Sequence, residues 1–258
     1  MFLTEPQRSA YDLNFSLAGV PIRVHPMFWL FTAMLGMRLR DPVDLLIWVG
    51  VVFISILVHE FGHSLAMRYF GWTSHIVLYS FGGLAVQDGS YGRFERPGRG
   101  GRDARTQIII SLAGPVAGFL FAALILAVLR ASGHAVAIRL GGFPPVWYQV
   151  APLSTPQLTF TIDQLLFVNI FWGLLNLLPI YPLDGGQIAQ QVLVTANPRD
   201  GLRQSFMLSI LTAAGVAILG YVKLNSLYMA LMFGFLAYQN YLTLQSFRGG
   251  GYGGGRGW

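Results

Sequence analysis

The feature that most constrains this chain is a five-residue run, His59-Glu60-Phe61-Gly62-His63, inside an apolar stretch from Leu45 to Ala66. The stretch is long enough to cross a bilayer as a helix. Four residues make a little over one helical turn, so His59 and His63 share a face. Two imidazoles at that spacing can hold one zinc ion, and Glu60 beside the first reaches a water at the metal without being a ligand. Three ionisable side chains in a hydrocarbon core are costly and mark a functional site. His and Glu are scarce in the chain, so chance recurrence of the pattern is a weak explanation.

The surroundings of that run are those of a membrane protein. Of 258 residues, 54% are hydrophobic and 11% charged, where a soluble domain carries about a quarter charged. We expect an all-α polytopic fold of about six transmembrane helices with small membrane-associated β-hairpins. The spans fall at 26–39, 45–69, 107–129, from about Ile162, 204–221 and 227–247. Residues 1–25 form an N-terminal cytoplasmic segment with a hairpin over Asn14 to Val24. Residues 26–247 form the helical domain, and 248–258 a Gly-rich disordered tail. The first 25 residues show no signal-peptide core, so the first span is expected to direct insertion. The net charge of +6 reports orientation rather than nucleic-acid contact. Most of the 17 Lys and Arg residues fall on the side that holds both termini and the Arg-rich loop from Gly89 to Arg105. That side is expected to be cytoplasmic, with the histidine motif toward it. There are no cysteines, which excludes disulfides and thiolate metal sites and leaves His, Asp and Glu as strong ligands.

Other segments carry weaker signals. His25-Pro26 opens the first span, and His25 reads as an interfacial residue at a helix start. Gly114 and Gly118 flank Pro115 in the third span, a small-xxx-small pair that permits close helix approach. Residues 131–160, rich in Gly and Pro, read as an external loop. The fourth span carries Asn176, Pro179, Pro182, Asp184, Gly185 and Gly186. Two prolines and two glycines break a helix at membrane depth, where irregular backbone is tolerated only if buried or lining a wet cavity. Asp184 is a second costly ionisable group there, read as a metal ligand, with capping of the next helix as the alternative.

A catalytic zinc takes three protein ligands and keeps one position for water. His59, His63 and Asp184 supply three, and ionised Glu60 balances the remaining charge. Zinc brings the pKa of its water toward neutrality, and Glu60 can take that proton and pass it to a leaving amine. These parts are those of a peptide-bond hydrolase. A multi-pass metal-ion transporter is the alternative, but it has no need of a non-ligating Glu beside the first His. An inactive scaffold is a third reading, disfavoured because every catalytic position is filled.

HEFGH in the second span, Phe81-Gly82-Gly83 after it, Gly114-Pro115 in the third span, and Asn176 through Pro179 and Pro182 to Leu183-Asp184-Gly185 together resemble the site-2 protease family of intramembrane zinc metalloproteases. The short six-helix form without a PDZ or CBS domain fits best. The resemblance implies one Zn2+ per chain held by His59, His63 and Asp184, with Glu60 as base. It also implies that Asn176 positions substrate or stabilises the oxyanion, that the partners are a transmembrane protein substrate and the lipid bilayer, and that nucleic acid is not involved. A substrate made locally extended for attack carries unpaired backbone groups, each costly in a bilayer. The hairpin from Ile76 to Val86, with Phe81, Gly82 and Gly83 at its turn, offers the nearest strand edge to pair them.

Overall fold

The computed structural model describes residues 5–80, 82–87, 103–141 and 146–249. Phe81, the Arg-rich stretch from Gly89 to Arg102, and residues 250–258 of the Gly-rich tail lie outside the described residues. The chain forms two compact units, one of residues 1–100 with 113–174, the other of 101–112 with 175–258.

The first unit begins with two strands, β1 (Leu13–Leu17) and β2 (Val20–Val24), then the short helix α1 (Pro26–Leu35) and the long helix α2 (Pro42–Tyr69). Strands β3 (Ser74–Tyr79) and β4 (Gly82–Gln87) follow α2. The two expected hairpins join into one four-stranded sheet in the order β1-β2-β3-β4. β2 and β3 run parallel, with Ile22 opposite Ile76 and Val24 opposite Leu78. Alternation makes the sheet two-faced. Val20, Ile22, Val24, Ile76 and Leu78 bury against Phe28, Val51, Val52 and Ile56 of α1 and α2. Truncating such a residue to Ala costs about 2–5 kcal/mol. On β2, Arg23 is buried and donates to Asp12 Oδ2 at 2.8 Å, to Glu5 Oε1 at 2.7 Å and to the Pro6 carbonyl at 2.9 Å. These bonds strap the N-terminal segment to the sheet. Burial by itself pushes the Asp12 carboxyl up, but the Arg23 and Ser9 bonds together with the charges of Arg23 and His25 outweigh it and hold it below 3.8.

Asp41 caps α2, its Oδ1 accepting from Val43 N at 2.8 Å, and Pro42 fills the first helical position where no N–H is needed. His25 caps α1 in the same way, its Nδ1 accepting from Met27 N at 3.2 Å. This is the helix-start role read for it from sequence. The segment 131–160, expected to be an external loop, contains a hairpin of β5 (Val136–Leu140) and β6 (Val146–Val150) that was not foreseen. The alternation of these strands is weak and the sequence between them is rich in glycine and proline, so composition masked the pairing. Val146, Tyr148 and Val150 pack on Ala122, Leu166 and Ile170.

Helix α3 (Ala104–Ala131) carries Pro115 within its length. Helix α4 (Pro156–Phe167) runs through a π-helical segment, Val168–Trp172, into α5 (Gly173–Asn176). Asn169 in the π segment donates to Ser55 Oγ at 2.9 Å and to the Leu165 carbonyl at 2.8 Å. That bond ties the fourth span to α2 one turn before His59.

In the second unit the chain turns through residues 177–183 and restarts as α6 (Asp184–Ala196), followed by α7 (Gly201–Val222) and α8 (Leu227–Gly249). Ile180, Ala213 and Phe233 are fully or almost fully buried together. Among the described residues, four helices are long and apolar enough to cross a membrane: Pro42–Tyr69, Ala104–Ala131, Pro156–Asn176 and Gly201–Val222. The fold is therefore mostly helical and of membrane type. α1 has 10 residues, about 15 Å at 1.5 Å per residue. α8 has 23 residues but carries Gln239, Asn240, Thr243 and Gln245.

Candidate metal centre

The histidine pair lies in the C-terminal half of α2. His59, Glu60 and His63 are all buried, at 5%, 6% and 7% exposure. The helical repeat sets the two rings nearly perpendicular, at 78°, with centroids 4.9 Å apart. Their Nε2 atoms are 3.2 Å apart. Two nitrogens bound to one tetrahedral zinc at about 2.0–2.1 Å lie roughly 3.3–3.4 Å from each other. The imidazole pair thus fits two ligands on one ion.

Two glycines make this arrangement possible. A Cβ on Gly114 of α3 would lie 2.8 Å from His59 Nε2 and 2.5 Å from His63 Cε1, and closer still to His63 Nε2. The bare helix face at Gly114 is therefore the floor of the imidazole cradle. One turn further along α3, Gly118 faces Asn169 with ordinary room, 3.5 Å to Oδ1. On the other side, a Cβ on Gly83 would lie 2.6 Å from Glu60 Oε1 and 2.7 Å from its Cδ. Strand β4 thus passes directly over the Glu60 carboxylate. The preceding residue, Gly82, has φ +122°, a backbone that side-chain-bearing residues rarely adopt. Gly82 sits near Trp172 of the π segment, whose Cζ2 is 3.6 Å from the Cβ position. Tyr79 at the end of β3 is pushed above its ordinary 10.0 by burial and then by the charge of Glu60. The end of the hairpin is therefore within electrostatic reach of that carboxylate. In the sheet order β3 is interior and β4 lies at the edge.

In the second unit Asp184 is the first residue of α6 and is 7% exposed. Leu183 occupies the N-cap position, and Asp184 is the acidic residue of the first turn, where a carboxylate also complements the helix dipole. Gly185 and Gly186 pack without space for a side chain against the returning backbone. A Cβ on Gly185 would meet the Leu177 and Leu178 carbonyls, and one on Gly186 the Ile180 carbonyl and Tyr181 N. The broken fourth span is a tight reversal whose first turn only glycine can close. Asn176, 9% exposed, ends α5 just before it.

Residues 47–221 match the profile of Peptidase family M50. The chain belongs to Peptidase family M50. It is 27% identical over 184 residues to a zinc metalloprotease of Methanocaldococcus jannaschii, covering 69% of this chain and 44% of that relative. It is 25% identical over 172 residues to the stage IV sporulation protein FB of Bacillus subtilis, covering 65% and 46%. The chain thus spans under half the length of the sequence relatives it matches. Its fold is that of the site-2 protease from Methanocaldococcus jannaschii, with a TM-score of 0.53 at 22% identity over 90% of this chain and 94% of that one. The resemblance to site-2 proteases read from the motifs is borne out.

Within this M50 chain, sequence reasoning placed the ionisable residues but missed their supports. Gly114 was read as a helix-packing glycine, whereas it faces the imidazoles. Ser64 of α2 hydrogen-bonds Ser74 of β3, Oγ to Oγ at 2.8 Å, both buried. That bond fixes the hairpin to the helix of the M50 motif. A serine one residue after the second histidine is the only local signal for it.

Proposed function

We propose that this M50 chain is an intramembrane zinc metalloprotease that hydrolyses a peptide bond in or near the transmembrane segment of a membrane protein. The observation that carries the reading is the buried pair of Nε2 atoms 3.2 Å apart with Glu60 adjacent, in a chain of this family. Family membership supports a protease over the metal-ion transporter.

His59 and His63, with Asp184 as third ligand, would hold one Zn2+ per chain. When bound, the ion supplies a Lewis acid that polarises the scissile carbonyl and acidifies the attacking water. Glu60 takes the proton of that water and delivers it to the leaving amine, so that it acts first as base and then as acid. Burial of Glu60 keeps bulk water from competing with this transfer. Asn176, by the family resemblance, donates to the substrate carbonyl as charge builds on its oxygen.

The edge strand β4, lying over Glu60 at Gly83, pairs with an extended substrate and satisfies its backbone N–H and C=O groups. Gly82 and Gly83 contribute a surface without side chains that lets the substrate backbone approach the base. The chain spans the membrane about six times, counting α1 and α8, with both termini and the active site toward the cytoplasm.

The deciding experiment is Glu60→Gln in purified protein with a transmembrane peptide substrate and zinc counted by mass spectrometry. Cleavage is lost while zinc stays near one per chain. Loss of zinc at neutral pH contradicts the role of Glu60. Retention of near-stoichiometric zinc by Asp184→Ala removes Asp184 from the ligand set.

A further inference from the structure

The backbone leading into Asp184 is held from two helices that carry none of the predicted site residues. Tyr181 lies in the break of the fourth span, where no helical ladder pairs its backbone. Its N–H donates to Ser209 Oγ of α7 at 3.0 Å. Its carbonyl accepts from Asn240 Nδ2 of α8 at 2.6 Å. The Ser209 hydroxyl donates onward to the Ser205 carbonyl at 2.9 Å, and Asn240 Nδ2 to the Leu236 carbonyl at 2.8 Å. Both side chains are almost fully buried, at 1% and 2% exposure.

The chemistry of these bonds fixes the amide orientation. Both partners of the Asn240 amide are carbonyls, which only accept, so nitrogen must stand between them. Its Oδ1 is then buried with no donor among the described residues. An apolar side chain of the same shape would avoid that cost. The asparagine is thus an expensive way to fill space, and what it achieves is the anchoring of one carbonyl. The rest of the reversal is pinned as well. Leu183 N donates to the Ile180 carbonyl at 2.8 Å, and Gln187 Nε2 to the Pro182 carbonyl at 3.2 Å. The Tyr181 ring packs edge-on against Phe206 of α7, with centroids 5.6 Å apart.

We propose that Ser209 and Asn240 are positioning residues for Asp184: by clamping both backbone groups of Tyr181, they fix the reversal three residues upstream and aim the Asp184 carboxylate. The inference rests on the reading of Asp184 as a metal ligand. A ligand on a loosely held turn must be ordered when the ion binds, and that cost weakens affinity. A ligand on a clamped turn is ordered beforehand. The same coupling runs in reverse, so bound metal slows hydrogen exchange at the Tyr181 amide.

The test measures zinc dissociation constants by chelator competition on the full chain in detergent, with the melting temperature of the metal-free form alongside. Ser209→Thr and Ser209→Val have side chains of matching shape and differ in the hydroxyl. We expect Ser209→Val to bind zinc about 10–100-fold more weakly than Ser209→Thr, the range for residues that orient a ligand. Asn240→Leu loses affinity by a similar factor, and zinc slows Tyr181 amide exchange in the wild type but much less in either variant. Equal zinc affinity in Ser209→Val and Ser209→Thr overturns the proposal. If Asn240→Leu does not fold, the Ser209 pair still decides. Asp184→Ala serves as the control: if it retains zinc, the ligand assignment fails. If it loses zinc while the Ser209 and Asn240 variants keep it, the positioning role fails.

Discussion

Gly114→Ala adds one methyl group to a helix and should disable the metal site. The new Cβ would lie 2.8 Å from His59 Nε2 and 2.5 Å from His63 Cε1, where unstrained contacts need about 3.5 Å or more. The His59 ring must retreat by roughly 0.7 Å, and the His63 ring, whose Nε2 would lie nearest the new Cβ, by more than about 1 Å. A metal site tolerates about 0.2 Å of change in ligand distance, and a 1 Å misplacement at a reacting centre costs about 10²-fold. We expect zinc affinity and kcat each to fall about 100-fold. Helix formation does not confound the result, because Ala is about 1 kcal/mol better than Gly inside a helix. Gly118→Ala is the matched control, one turn away on the same helix, where the nearest atoms would be at 3.5 Å. Chelator competition for zinc and cleavage of a transmembrane peptide read the two variants. Gly114→Ala with wild-type zinc binding, or Gly118→Ala as damaging as Gly114→Ala, refutes the cradle.

Gly83→Ala would place a Cβ 2.6 Å from Glu60 Oε1, so kcat should drop about 10²-fold while zinc content, measured by mass spectrometry, is unchanged. Proline at successive positions of β4 should abolish cleavage in one register, Leu84 or Ala85, and spare the other, because only alternate N–H groups face the open edge; equal rates in all folded variants would remove β4 as the substrate clamp. The N-terminal strap should loosen in acid. Asp12 titrates below its ordinary 3.8 in the folded chain, so its contribution is complete above that value and lost as pH falls through the lowered one; hydrogen exchange over residues 5–12 should rise there and not between pH 5 and 8. Cysteines introduced at Ser90 and Ser154 should label from opposite faces of the membrane, Ser90 from the cytoplasm, as six spans require.

The sequence alone marked the candidate metal residues. Helical periodicity is local, so the four-residue spacing of His59 and His63 put both rings on one face before any packing was known, and the structure keeps them there. Apolar length placed α2 and α3 to within about three residues, the fourth span begins six residues before the expected Ile162, and the Pro-Gly pattern around Asp184 marked the break. Strand β3 and its neighbour were legible from β-rich, glycine-punctuated composition. Their assembly was not, because the parallel pairing of β2 with β3 joins segments separated by two helices, and no local pattern encodes it. That pairing leaves β4, not β3, as the edge that lies over Glu60. Gly83 and Gly114 were visible in the motifs, but their contacts with Glu60 and the imidazoles were hidden, as were Ser209 and Asn240 altogether. A glycine next to a helix-packing motif looks the same whether it faces a lipid, a helix or an imidazole, and a lone Ser or Asn in an apolar helix names no partner. What each one touches is decided by chain segments dozens of residues away, and only the tertiary structure brings them together.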